Sequence, residues 1–309
     1  MKWRKLGRVY CANNENEFMV TGGRAPVPLF VGGDCFKIFF SSYDSLGRGR
    51  IFSLLLDLKP DFKVLEILDS PVIDIGDTGR YDDNGIIPSC ILNCGDKQYL
   101  YLSGFSVKNK VIFDSAAGLA VSEDAGASFC KFSGPVLDRS VDDPCFATSP
   151  FVLFDKGLFK MWHVSCMRWG KDSENRLKHF YNIRYKESKD PVYWPIKSSI
   201  AIDFANDFEY AIARPSVIVE APDNYKMWYC FREQQNIDTY RIGYAASTDG
   251  REWERRDHEA GIDVSATGWD SEMICYPYVF EHKGQKYMLY NGNGYGRTGF
   301  GLAVLEEDS

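Results

Sequence analysis

Acidic side chains recur in this chain at one kind of place, five to eight residues ahead of a series of prolines: Asp82 and Asp83 before Pro88, Asp142 and Asp143 before Pro150, Glu209 before Pro215, and Asp270 with Glu272 before Pro277. Paired carboxylates are what glycosyl transfer requires, one protonated for the leaving oxygen and the other ionised as base or nucleophile. Their separation sets the outcome, about 5.5 Å for retention and about 6.5 to 9.5 Å for inversion. Glu209, in DFEYAIARP, and Glu272, in GWDSEMICYP, lie among aromatic and apolar residues, a setting that raises a carboxyl pKa by desolvation. Glu209 with Glu272 or Asp270 is therefore the expected catalytic pair, and Asp83 and Asp143 are further candidates. Asp82-Asp83-Asn84-Gly85 and Asp142-Asp143-Pro144 also read as plain turns.

Two arginines stand beside the same prolines, Arg24 two before Pro26 and Arg214 one before Pro215. A buried arginine needs a partner. That partner is either one of the nearby acids or a substrate carboxylate or phosphate gripped by the planar fork. Tyr276, just before Pro277, joins the expected sugar-binding set. So does the run Asn291-Gly292-Asn293-Gly294-Tyr295-Gly296, in which Asn291, Asn293 and Tyr295 could meet sugar hydroxyls or simply form a tight turn. His163 follows Met161-Trp162 and is read as either a core histidine or a substrate contact. No GxSxG elbow and no Cys/His spacing points to an activated Ser or Cys nucleophile.

The elements that must position these residues come from a repeat. APVPLFVGGDCFKIFFSS, IIPSCILNCGDKQYLYLSG, TSPFVLFDKGLFKMWHVS, RPSVIVEAPDNYKMWYCF and YPYVFEHKGQKYMLYNGN align on Pro26, Pro88, Pro150, Pro215 and Pro277, at spacings of 62, 62, 65 and 62 residues. Each unit opens with a proline, runs through apolar residues, turns on Gly, Asp or Asn, and returns through a run rich in aromatics. This is a β-hairpin pattern. A weaker strand pair follows, as in SAAGLAVSEDAGASF from Ser115 and YRIGYAASTDGREW from Tyr240. Proline cannot donate to a ladder, so it marks the first residue of a strand. The expectation is an all-β fold: one five-bladed β-propeller domain over residues 1–309, with four-stranded antiparallel blades, the first strand of each lining the axis and the segment before Pro26 closing the ring against the last blade. Ser122 to Phe129 (SEDAGASF) and Ser247 to Trp253 (STDGREW, one residue shorter) share an SxDxGxx-like form, read as structural turns in which Asp caps backbone N–H groups and the aromatic plugs the blade.

Composition narrows the partners. Net charge is −7 with no Lys/Arg cluster, which argues against nucleic acid and anionic membranes. Met1 to Val9 lacks the apolar core of a signal peptide and no run is long enough to span a membrane, so a cytoplasmic location is expected. The nine cysteines lack paired metal-ligand spacing and are read as reduced core residues. No metal site and no cofactor is specified.

The five hairpins, the strands Met161-Trp162-His163 and Met227-Trp228-Tyr229, the SxDxGxx-like turns and the closing YMLYNGNGYGRTGFGLA resemble the five-bladed propeller glycosidases: family 43 arabinanases and xylosidases, family 32 fructosidases and family 130 mannoside phosphorylases. The resemblance covers the whole chain. It implies a carbohydrate-active protein whose ligand is an oligosaccharide or sugar conjugate, and in some relatives a channel Ca or Na ion. In that group an Asp precedes the first proline, another acid precedes the second or third, and a Glu lies two before the fourth. Here those places hold Ala25, Ile87 or Ser149, and Ala213. The usual triad does not carry over, so three readings stand: a glycoside hydrolase using other carboxylates, a glycan-binding or polysaccharide-biosynthesis accessory propeller without chemistry, and a glycoside phosphorylase.

Overall fold

The proline-led segments form the inner edges of antiparallel sheets, as their apolar content and absent proline N–H groups require. In a computed structural model, residues 1–59, 61–172, 174–233 and 239–306 are described; the expected domain end at 307–309 lies outside them. The first proline-led strand, Thr21–Gly32, pairs with Cys35–Tyr43, then Gly49–Asp57 and Lys63–Ile67 follow. The next run is Ile86–Cys94, Lys97–Ser106, Asp114–Ser122 and Cys130–Lys131. Phe146–Asp155, Leu158–Lys171, Leu177–Ser188 and Ser199–Ile202 repeat the order, as do Glu209–Ala221, Asn224–Glu233, Arg241–Ser247 and Glu254–Arg255. Cys275–His282, Gln285–Asn291 and Phe300–Glu306 are completed by the N-terminal strand Lys2–Tyr10, which runs antiparallel to Phe300–Glu306 from Lys2↔Glu306 to Tyr10↔Phe300.

The proline-led strands touch one another in a cycle, first to second and on to the fifth, which returns to the first. The molecule is thus an all-β propeller, and the ring is closed by the strand ahead of Pro26. Each proline interrupts its ladder: the register slips at Arg24/Val27, Pro88/Cys90, Thr148/Phe151, Ala213/Ser216 and Cys275/Tyr278. At four of these bulges the residue before proline is left-handed: Ala25 (φ 54°), Ser149 (φ 49°), Arg214 (φ 58°) and Tyr276 (φ 55°). Such backbone is costly for an L residue and persists where surrounding structure enforces it. Here it turns the residues flanking each bulge toward the axis.

Aromatic side chains fill the space between sheets. The two SxDxGxx-like turns have the expected form: Asp124 accepts from Ser128 N at 2.9 Å and Asp249 from Arg251 N at 2.7 Å, while Gly126 and Gly250 take φ near 80° and 77°. Phe129 meets Phe39 of the preceding sheet edge to face at 5.3 Å, and Trp253 meets Trp162 likewise at 6.1 Å. All nine cysteines are free; Cys90, Cys166, Cys230 and Cys275 are buried, four are half-buried, and Cys130 is exposed, which corrects the expectation that all belong to the core. Among the described residues no helix is long and apolar enough to cross a membrane.

Candidate functional site

A cavity of about 410 Å³ opens where the bulged ends of the inner strands converge. Its wall takes the residues just ahead of the five prolines: Arg24, Ile86 and Ile87, Thr148 and Ser149, Ala213 and Arg214, and Tyr276. The second and third strands add Arg232, Tyr181 and His179, the residues just ahead of third strands add Phe113 and Tyr240, the third inner strand adds Phe146 at its start, and the short helical turn Asn293–Gly296 adds Tyr295.

Three guanidinium groups face this space, and among the described residues none has an ion-pair partner and no Asp or Glu lines the wall. Arg214, 5% exposed, donates to Pro88 O at 2.8 Å and Ser89 Oγ at 3.2 Å, and lies 5.4 Å from the Tyr276 ring. Burial lowers its pKa. Arg232, 6% exposed, donates to Tyr295 Oη and stands 4.9 Å and 4.8 Å from the rings of Tyr210 and Tyr240. Arg24 lies 4.1 Å from the Tyr43 ring. The Nε atoms of Arg24 and Arg232 are buried without a hydrogen-bond partner. His179 stacks on Tyr181 at 5.0 Å, and burial, reinforced by Arg232 and Lys178, pushes its pKa down to about 3, so it is neutral beside the arginines. Tyr181 and Tyr240 share a hydroxyl–hydroxyl hydrogen bond, and burial raises both above the ordinary phenol range. The wall is therefore cationic and aromatic, with neutral hydroxyls and, among the described residues, no anionic acceptor. Ring faces hold the cations in place, each such contact contributing about 0.5–2 kcal/mol.

The expected carboxylates lie elsewhere, with identifiable reasons. Glu209 is buried, but both its oxygens face Arg255, at 2.7 Å and 2.8 Å, on the outermost strand of its own sheet. Asp270 accepts from Lys5 Nζ at 2.7 Å, on the closing strand, and from Tyr290 Oη at 3.1 Å. Asp82 is held by Lys131, again on an outermost strand. Asp143 is bonded to His163 Nε2 at 3.1 Å and to Ser140 Oγ at 2.8 Å, with Lys186 Nζ 3.9 Å away. Burial would raise its pKa, yet the bonds from His163, Ser165 and Ser140 overcome this and hold it below the usual carboxylate range. Asp83 caps a turn by accepting from Gly79 N at 2.8 Å, and Asp142 accepts from Ser198 N at 3.0 Å. Glu272 is exposed, so the apolar desolvation expected for it is absent. In each lead-in loop the acid reaches outward across its own sheet instead of inward to the axis.

Of the expected sugar contacts, Arg24, Arg214, Tyr276 and Tyr295 meet at the cavity. His163 does not, because neighbouring residues on a strand face opposite ways and it is Val164 that lines the wall. Asn291 spends its amide on backbone, accepting from Ala25 N at 2.7 Å and donating to Gly23 O at 2.6 Å, which ties the last sheet to the first. Asn293 accepts from Glu272 N at 2.8 Å and Met273 N at 3.1 Å, a loop brace. Arg232, Tyr181, Tyr240 and His179 carry no sequence marker of the proline kind. A signal existed: Arg232 shares its strand face with buried Trp228 and Cys230, and a charge on a buried face calls for a ligand or partner. Among the described residues no three His, Cys, Asp or Glu side chains converge to hold a metal ion.

The fold is similar to that of propeller glycoside hydrolases. A thermostable family-43 glycoside hydrolase superposes with a TM-score of 0.67 at 16% identity, covering 93% of this chain and 91% of that one. A GH43_1 enzyme from Xanthomonas citri, complexed with xylotriose, gives 0.62 at 14% identity, covering 99% and 90%. The Bombyx mori GH32 β-fructofuranosidase BmSUC1 gives 0.62 at 14%, covering 97% and 62%. At these identities the likeness is one of fold. No family model matches the sequence. Uncharacterized protein Rv1502 of Mycobacterium tuberculosis (strain H37Rv), and its counterpart in strain CDC 1551, are 40% identical over 307 residues, 99% of this chain and 100% of theirs. The chain belongs to the family of these mycobacterial proteins.

Proposed function

We propose that this chain is a single-domain propeller of five four-stranded blades that binds an anionic sugar conjugate in its axial cavity, without cleaving the glycosidic bond by paired carboxylates. One observation carries the reading: three guanidinium groups converge there with no ion-pair partner, and no carboxylate among the described residues lines the wall. Glycoside hydrolysis needs an acid and a base or nucleophile about 5 to 9.5 Å apart across the bond. Sugar hydroxyls, which are donors as well as acceptors, are commonly met by carboxylates and amides, whereas the charged groups of this wall, among the described residues, are all cations. Anionic oxygens suit it, since guanidinium binds phosphate and carboxylate bidentately. The aromatic rings offer apolar faces for a flat or pyranose-like surface. Of the three readings open at the level of sequence, the binding module fits best. The phosphorylase shares the need for cationic residues but still requires a proton donor to the leaving sugar. No cofactor enters the proposal.

Calorimetry against neutral, uronate-bearing and phosphorylated saccharides, with product analysis of each mixture in water and in phosphate buffer, tests it. Anionic saccharides bind, neutral ones bind at least about tenfold more weakly, and no product accumulates. Turnover of any glycoside by purified protein, lost on changing Glu209 or Asp270, overturns it.

A further inference from the structure

We infer that the anionic ligand carries an apolar chain, so that the cavity takes the head of a single long-chain phosphate ester while the tail lies across one side of the mouth. The inference rests on the reading of the cavity as an anion site and extends it to the class of ligand. Leu46, Val107, Ile112 and Val141 are exposed by 74%, 67%, 64% and 89%. Single exposed apolar residues are ordinary on any protein; these sit on adjoining loops continuous with the cavity. Ile112 itself lines the wall, as does Gly47 next to Leu46.

The contiguity of the arc follows from contacts between the loops. Ser41 Oγ, at the base of the loop holding Leu46, donates to Ile86 O at 2.8 Å, and Gly49 approaches Gly85 so closely that a Cβ on Gly85 would meet Gly49 N at 3.0 Å. Asn84 N donates to Phe105 O at 3.0 Å, which joins that segment to the loop of Val107 and Ile112. Lys108 and Arg139 both pair with Asp114, bringing the segment of Val141 alongside. The arc borders the mouth on the side of the first three sheets. Across the mouth, the described segments 239–240 and 292–299, which carry Tyr240 and Tyr295, expose no large apolar side chain, and Phe208, ahead of the fourth inner strand, is less exposed than the arc, at 43%.

A ligand with one anionic head and one apolar tail matches this one-sided arrangement. A second protein would need a wider apolar surface than four loop residues. An anionic bilayer would be repelled by a chain of net charge −7. A single prenyl- or alkyl-type phosphate satisfies both the guanidinium groups and the arc.

The test measures binding of methyl phosphate, decyl phosphate below its micellar concentration, and a neutral decyl glycoside, with flotation on phosphatidylcholine vesicles alongside. Decyl phosphate binds about a hundredfold more tightly than methyl phosphate, as burial of several methylene groups provides. Leu46→Ser, Val107→Ser and Val141→Ser combined cut decyl phosphate affinity about tenfold and leave methyl phosphate unchanged, whereas Arg214→Gln weakens both phosphates. Equal affinity for the two phosphates overturns the apolar chain and leaves the anion site standing. Binding of the decyl glycoside as tight as that of decyl phosphate overturns the anion site as well, and so does binding of neither phosphate. Flotation of the protein on phosphatidylcholine vesicles overturns the single-molecule ligand in favour of a membrane surface.

Discussion

Glu209 and Arg214 lie five residues apart on one strand, yet the molecule treats their charges in opposite ways. Glu209, like Asp82, Asp143 and Asp270, is met by a cation or histidine on another strand of its own sheet, and so serves as a cross-sheet clamp. Arg214, with Arg24 and Arg232, projects into a shared space with no counter-charge among the described residues. A buried ion pair loses most when one partner goes, because the other is left desolvated. A buried cation without a partner is already in that position, and a protein retains one where an outside anion completes it. The difference separates charges that hold the sheets from charges that wait for a ligand.

Four experiments can break or sharpen that contrast. The largest effect is expected from Glu209→Ala, which leaves Arg255 with Asp257 as its remaining carboxylate and Ala205 N without its acceptor, and lowers unfolding stability by about 3 kcal/mol in denaturant titrations. Anion affinity stays unchanged in the folded fraction; a variant that kept full stability would remove Glu209 from the clamps. Arg214→Met should do the reverse, reducing affinity for a phosphorylated saccharide at least about a hundredfold while stability stays within about 1 kcal/mol of the parent. A loss comparable to that of Glu209→Ala would place Arg214 among the structural charges.

Acid titration comes next. His179, pushed down to about 3, and His163, lowered chiefly by burial, are neutral in the folded chain at pH values where the unfolded chain has taken up a proton. The unfolded state therefore binds more protons between about pH 6.5 and 3. Stability is level above that window and falls on acidification through it, His179 contributing a slope of about 1.4 kcal/mol per pH unit and His163 adding to the loss in the same direction. A flat profile from pH 7 to 4 would contradict their burial. The smallest effect belongs to Ala25→Gly, which relieves φ 54° at the cost of a freer unfolded chain, for a net gain of about 0.5 kcal/mol by thermal unfolding.

The parts of this fold that rest on local chemistry could be read from the chain. Proline spacing gave the inner strands, the SxDxGxx-like segments gave the turns, and the unpaired segment before Pro26 pointed to a strand that joins the last sheet. Arg24 and Arg214 stood out because they flank the prolines whose bulges aim them inward. The acids were legible as a periodic set but not in their direction. A loop five to eight residues ahead of an inner strand can point to the axis or lie back over its own sheet, and the partner decides. Those partners are remote in sequence: Lys131 for Asp82, Arg255 for Glu209, and Lys5 for Asp270, the last across almost the full chain. The aromatic and cationic wall of Arg232, Tyr240, Tyr181 and His179 comes from second and third strands and, for Tyr240, from just ahead of one, and their facing depends on register across the sheet.

The pairing of Lys2–Tyr10 with Phe300–Glu306 also bears on biosynthesis. Residues Lys2–Tyr10 have to wait for residues made some three hundred positions later before their backbone groups are satisfied. On the ribosome the earlier sheets can assemble in turn, while the first strand stays without its neighbour until synthesis has passed Glu306. The axial cavity, which draws its wall from segments between Arg24 and Tyr295, is enclosed by the sheet that this pairing completes.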